Sequence, residues 1–380
     1  MRTSIFLILF LLPFFNFGQT EYFTINSQIL QDKRELKLQL PRTYNSSGDQ
    51  RYPLIVVFDG NYLFEPIAGT VDYLSYWNEI PEAIIIGINQ SETRNDDFQI
   101  GDKEFLPTLK GDDFLQFIEN ELLPLLEDKY RIAGFKVAVG HNKSANFINF
   151  FLLRKSLPFN GYISLSPLLS TKMAKRVENA LKTKEERLFY NLSYGERDFE
   201  DVILKVRKLG RKLNTIEKTN ADIDFNIVEG ATHYTMVSRK IPIAIEQIFS
   251  AYRPITPDDY KEKLLNNEDI VGFLEEKYDK IEELYSIDAP VSVNDILFAA
   301  KAIKEKEKWD ALKDLGKLAE KEQPEKILGP YYRALHYEKI GKPKKAIKYY
   351  QSAYSYESVD KITKDLVIDK VNELKELFGD

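Results

Sequence analysis

Leu36, Leu38 and Leu40 alternate with polar neighbours, the two-residue period of a strand with one buried face. Two later runs are apolar without a break: Pro53-Leu-Ile-Val-Val-Phe58, closed by Asp59-Gly60, and Ala83-Ile-Ile-Ile-Gly-Ile88. Unbroken runs of this length suit strands covered on both faces, as in a parallel sheet. The period becomes helical over 113–126, where Phe114, Phe117, Ile118, Leu122 and Leu125 share a side. Further strands are predicted at 137–139, 162–165, 188–194 and 223–228, with helical segments between them, including a Phe-rich one at 145–153. Strand and helix alternating from residue 22 to 253 imply a doubly wound α/β domain.

After residue 255 the strand pattern stops. Thr256-Pro257-Asp258-Asp259 has the order of a helix start: a capping side chain, proline at the first helical position, then acids. Trp309-Asp-Ala311 and Lys345-Ala346-Ile347 lie about 35 residues apart, close to the period of a tetratricopeptide repeat. Ala334, Tyr337, Gly341, Ala346, Tyr350 and Ala353 surround the second anchor, and Ala299, Ala302, Ala311, Leu315 and Leu318 form a weaker first copy. The pattern resembles tetratricopeptide helices, in which small residues let neighbouring helices approach; an unrelated helical bundle is the other reading. Residues 361–378 read as an amphipathic capping helix, and residues 256–286 as helices that complete the stack or tie it to the first domain.

The first residues change where the chain is expected to work. Met1-Arg2-Thr3 is short and positive, an apolar stretch broken only by Pro13 follows, and Asn16-Phe17-Gly18-Gln19 is polar. This is the layout of a cleaved export signal, residues 1–18, and the apolar stretch is short for a membrane-spanning helix. The expected division is 1–18 signal, 19–254 α/β domain and 255–380 helical domain. The expected location is the periplasm or outside the cell, with no membrane anchor after cleavage. Composition narrows the chemistry. Hydrophobic residues make up 43%, enough for packed cores. The net charge of −6 argues against nucleic-acid binding, which needs a basic face. With no cysteine and three histidines (His141, His233, His336), the chain offers no disulfide, no thiol nucleophile, no lipoprotein cysteine and no multi-histidine metal centre. Asn95-Asp96-Asp97 lacks the spacing of an EF-hand and reads as a solvated loop. No glycine-rich nucleotide loop is present, so neither a metal nor an organic cofactor is expected.

Motifs in order along residues 30–250 resemble the bacterial putative-esterase family of α/β hydrolases, the group of siderophore esterases and S-formylglutathione hydrolase. They are Leu38-Gln-Leu-Pro-Arg-Thr-Tyr44, Tyr52-Pro-Leu-Ile-Val-Val-Phe-Asp-Gly60, Ile86-Gly-Ile-Asn89 with Arg94-Asn-Asp96, Phe114-Leu-Gln-Phe-Ile-Glu-Asn-Glu-Leu-Leu-Pro124 with Tyr130-Arg131, and Ser166-Pro167. The resemblance implies a nucleophile elbow, G-x-S-x-G, after the strand that ends near residue 140. Here that segment is Gly140-His141-Asn142-Lys143-Ser144-Ala145, with Asn142 at the nucleophile position. Asparagine tolerates positive φ, so the turn can persist, but its amide has no proton whose loss gives an alkoxide-like nucleophile. The resemblance places the catalytic histidine at His233 and the acid at Asp198, with Glu196 as the alternative. It places the oxyanion-hole amides at Gly60, Asn61 and Lys143. Ser144 is the substitute hydroxyl nearest in sequence, two residues beyond the elbow. Without the resemblance, Asp198 reads equally well as a helix cap and His141 as structural.

Two functions follow. In the first, the protein is a non-catalytic relative of an esterase that binds a small ester or glycan in its cleft and a protein partner through its helical repeats. In the second, it is an active exported serine-type carboxylic ester hydrolase acting on an acylated sugar or siderophore-like ester, with no cofactor.

Overall fold

The computed structural model describes residues 20–217 and 219–379. The expected signal, residues 1–18, lies outside the described residues. Eight strands form one sheet in the order β1-β2-β4-β3-β5-β6-β7-β8. They are β1 (Thr20–Ser27), β2 (Asp32–Gln39), β3 (Tyr52–Val57), β4 (Ile84–Ile88), β5 (Ile132–His141), β6 (Gly161–Leu165), β7 (Leu188–Arg197) and β8 (Ala221–Thr232). β1 and β2 pair antiparallel and add to a parallel block running from β4 to β8.

The unbroken apolar runs have a direct structural reason. In β3, Leu54 and Val56 point to one core while Ile55 and Val57 point to the other. In β4, Ile84, Ile86 and Ile88 face the first core and Ile85 the second. The first core is covered by residues 110–129, by residues 143–153, and by the helices Met173–Thr183 and Glu200–Leu213; the second by the helices Gly60–Tyr76 and Thr235–Ile248. Pro53 has no N–H to give a ladder, and the β3–β5 register slips between Tyr52 and Leu54 at that point.

Beyond residue 255 the described chain is helical. Thr256 and Asp259 form a reciprocal capping box, with the Asp259 amide donating to Thr256 Oγ1 at 3.1 Å and the Thr256 amide to Asp259 Oδ2 at 3.2 Å. The helices Ile270–Tyr285, Val293–Glu305, Ala311–Glu322, Leu328–Lys339, Pro343–Ser352 and Lys364–Phe378 follow, each packed on the next. Gly316 and Gly329 allow their two helices to approach closely: a β-carbon on Gly316 would lie 3.0 Å from the Gly329 carbonyl oxygen. The helix Ile270–Tyr285 belongs to both parts of the molecule. Its Ile270, Val271 and Leu274 pack among the later helices, whereas Ile281 and Tyr285 enter the second core of the sheet. Among the described residues, no helix is long and apolar enough to cross a membrane.

Candidate functional site

The C-terminal ends of β5, β7 and β8 meet on one edge of the parallel block and deliver three side chains. Asn142 follows β5 with φ 60° and ψ −113°, a backbone state that few non-glycine residues adopt, and the helix Lys143–Phe147 starts directly after it. Gly140 makes the turn possible, since a β-carbon there would lie 2.6 Å from the Ser144 carbonyl carbon. Asp198 follows β7 and His233 follows β8.

Asn142 Nδ2 lies 3.0 Å from His233 Nε2, and His233 Nδ1 lies 2.7 Å from Asp198 Oδ1. The consistent proton arrangement has Nδ1–H donating to the carboxylate, leaving Nε2 to accept from the Asn142 amide. His233 is 4% exposed and the Asp198 side chain is buried. Burial pushes the Asp198 carboxyl up, but hydrogen bonds from His233, Ser166 Oγ and the Phe199 amide outweigh it and hold the group below its ordinary value. Ser166, itself at φ 43°, donates to Asp198 Oδ2 at 2.5 Å. Asp198 does not cap the helix Glu200–Leu213, whose N-cap is Phe199.

The other expected residues fall in different places. Ser144 is fully buried, and its Oγ lies 2.7 Å from Asp59 Oδ2 and 2.9 Å from the His141 carbonyl oxygen while accepting the His141 amide at 2.9 Å. Its partners are therefore Asp59 and His141 rather than His233, a position displaced from the imidazole. Glu196 is exposed and accepts the Gly230 amide at 2.7 Å, so Asp198 is the acid that meets the histidine. Gly60 opens the helix Gly60–Tyr76, with Asn61 next, and Lys143 opens its own helix. First-turn amides of a helix have no intrahelical acceptor. Asn61 Oδ1 accepts the Gln90 amide at 3.4 Å, and Lys143 Nζ donates to Asn95 Oδ1 at 2.9 Å.

A buried polar network missed by the sequence reading supports this edge. Asp59, fully buried, takes Arg94 Nε at 2.6 Å and Nη2 at 3.0 Å as a two-point ion pair, and its amide donates to Gln90 Oε1 at 2.8 Å. Asp97 is also buried, accepting from Arg34 at 2.9 Å and from Gln90 and Thr93, so the expected solvated loop at 95–97 is a helical turn with one inward acid. His141 donates Nε2–H to the His233 carbonyl at 3.1 Å and accepts the Tyr62 hydroxyl at Nδ1, also at 3.1 Å. Phe199 and Tyr234, both exposed, stand 4.7 and 5.0 Å from the His233 ring and form an aromatic rim. The Ser166-Pro167 step after a strand was the available sequence signal for Ser166 and the Arg94-Asn-Asp96 motif that for Arg94; Tyr62 carried none. Among the described residues there is no acidic or histidine cluster suited to a metal ion.

The arrangement is a carboxamide, an imidazole and a carboxylate joined by hydrogen bonds in one line at the strand ends. An uncharacterised protein from Capnocytophaga ochracea DSM 7271 has a similar crystal structure, 27% identical with a TM-score of 0.82, covering 94% of this chain and 100% of that one. Coverage that wide includes sheet and helical region together. An IroE-like serine hydrolase from Shewanella oneidensis is similar at 18% identity and TM-score 0.61, over 84% of this chain and 99% of that one. A siderophore hydrolase from Aspergillus nidulans is similar at 16% identity and TM-score 0.52, over 61% and 94%. The last two likenesses speak for the fold. No curated protein matches the sequence. With residues 27–222 matched by the profile of the family described as Putative esterase, more than half of its length, the chain belongs to that family.

Proposed function

We propose that this protein is a non-catalytic, exported member of the esterase family that keeps the hydrolase frame as a ligand cleft. The observation that carries the reading is the Asn142 amide bonded at 3.0 Å to the imidazole that would activate a serine. An amide in that position fills the base's lone pair and provides no alkoxide. The intact His233–Asp198 pair and the exposed rings of Phe199 and Tyr234 support retention of the cleft for binding. The ligand class is a small acylated molecule, a siderophore-like ester or an acylated sugar. The helical region, with its tetratricopeptide-like spacing, is assigned to a protein partner, and the signal-like sequence pattern of residues 1–18 supports export.

A fluorophosphonate probe tests the reading. The purified wild-type protein is expected to remain unlabelled and to bind simple aryl esters without turnover. Asn142→Ser is expected to gain labelling and to raise aryl-ester hydrolysis by about 10²-fold or more, the scale of activation by a positioned general base. Covalent labelling of the wild-type chain would overturn the proposal in favour of a working exported esterase.

A further inference from the structure

The elbow that presents Asn142 also places its backbone where an asparagine attacks itself. We propose that Asn142 is a self-modification site, converted in the folded protein to aspartate and isoaspartate. Deamidation proceeds when the following peptide nitrogen attacks the side-chain carbonyl carbon to close a five-membered imide. Helical and extended backbones hold that nitrogen away from the side chain. At ψ −113° the Lys143 nitrogen nearly eclipses the Asn142 β-carbon, so closure needs only rotation about χ1.

The surroundings favour each part of the step. Lys143 opens its helix, so its N–H has no intrahelical acceptor to lose. The Asn142 carbonyl oxygen accepts from the amides of Leu168 at 3.0 Å and Asn146 at 3.2 Å, which stabilises the charge that appears on that peptide when its nitrogen is deprotonated. His233 Nε2, unprotonated and 3.0 Å from Asn142 Nδ2, is placed to take up the proton released by the Lys143 nitrogen and return it to the departing nitrogen, with Asp198 behind it at 2.7 Å. The balance is closed. The Lys143 N–Cγ bond of residue 142 forms, the Cγ–Nδ2 bond breaks, and ammonia leaves carrying the peptide proton. Water then opens the imide at either carbonyl, giving aspartate or isoaspartate and restoring the Lys143 N–H. The aspartate product sets a carboxylate against His233, a group that can form covalent intermediates where an amide cannot. This inference rests on the elbow geometry and not on the non-catalytic reading. Fluorophosphonates report hydroxyl nucleophiles, so the two proposals fail separately.

The test incubates the full-length wild-type protein, folded in buffer and unfolded in urea, at mildly alkaline pH in ¹⁸O-water. Peptide mass spectrometry then follows the amide-to-acid mass gain and the incorporated oxygen at residue 142. Conversion is expected to be about tenfold faster in the folded protein, as preorganisation of the attacking pair requires. Folded His233→Ala is expected to slow it by about tenfold. Conversion in the folded wild type that is no faster than in the unfolded chain would overturn the proposal without relying on any variant. An unchanged rate in a correctly folded His233→Ala protein would overturn the role given to the imidazole.

Discussion

The rings of His141 and His233 lie 4.5 Å apart, a distance at which two imidazolium ions repel. His141 is 2% exposed. Burial first, and then His233, pull its pKa from 6.5 down to about 4. The neutral ring fits its neighbours: Nε2–H donates to the His233 carbonyl and Nδ1 accepts from Tyr62, whose hydroxyl also lies 3.2 Å from Asp59. In the unfolded chain the ring titrates near its ordinary value, so between pH 6.5 and about 4 the unfolded state binds more protons than the folded one. Stability from this group is therefore complete above pH 6.5 and lost as pH falls towards 4, a difference of about 3 kcal/mol when integrated. Urea midpoints across that window should fall more steeply with acid in the wild type than in His141→Gln. Parallel slopes would show that the ring does not change protonation on unfolding.

At the scale of elements, the elbow depends on glycines that cannot bear a side chain. A β-carbon on Gly140 would lie 2.6 and 2.7 Å from the backbone of Ser144 and Ala145, which the following helix holds fixed. Gly140→Ala is expected to cost about 2 kcal/mol by overpacking. Gly69 is the contrast. It sits inside the helix Gly60–Tyr76 with nothing within 4 Å of a would-be β-carbon, so Gly69→Ala should stabilise by roughly 0.5–1 kcal/mol. Urea midpoints measure both; a neutral Gly140→Ala would mean that the turn has room to move. The same elements show what the sequence could convey. β2 to β7 were legible because their burial alternates or covers both faces, and β8, a half-buried edge strand, because Ile223, Phe225 and Ile227 alternate with polar residues. β1, at the other edge, was not, because Tyr22, Phe23 and Ile25 give no sustained alternation of apolar and polar residues. Asn142, Asp198 and His233 were picked out by the family resemblance, because each directly follows a strand whose pattern could be aligned; taken alone, Asp198 read equally well as a helix cap. The contacts of Arg94, Tyr62 and Ser166 were not legible, because their partners come from distant elements that only the sheet order brings together.

At the scale of the whole molecule, the change of pattern at residue 255 is not where the cores part. Tyr285, far into the helical region, is fully buried in the core of the sheet, with ring centres 5.1 Å from Phe135, 5.3 Å from Phe249 and 6.1 Å from Phe189. Its hydroxyl donates to the Ile248 carbonyl at 2.9 Å. The helix that carries it reaches the other core through Leu274, so neither core is complete without that helix. Two such bodies should unfold together, and the chain supplies its own reporters. Its two tryptophans lie on either side: Trp77 ends the helix Gly60–Tyr76, and Trp309 precedes the helix Ala311–Glu322. Trp77→Phe and Trp309→Phe leave one reporter each, and their urea transitions should coincide in an otherwise wild-type chain. Tyr285→Ala removes a large buried ring and should cost about 3–5 kcal/mol, separating the two transitions with the sheet side melting first. Tyr285→Phe loses only the hydroxyl and should cost about 1 kcal/mol while the transitions stay joined. Separate transitions in the Tyr285-bearing chains would mean that the helix Ile270–Tyr285 does not couple the cores, and the helical region would then be an independent attachment rather than part of the esterase body.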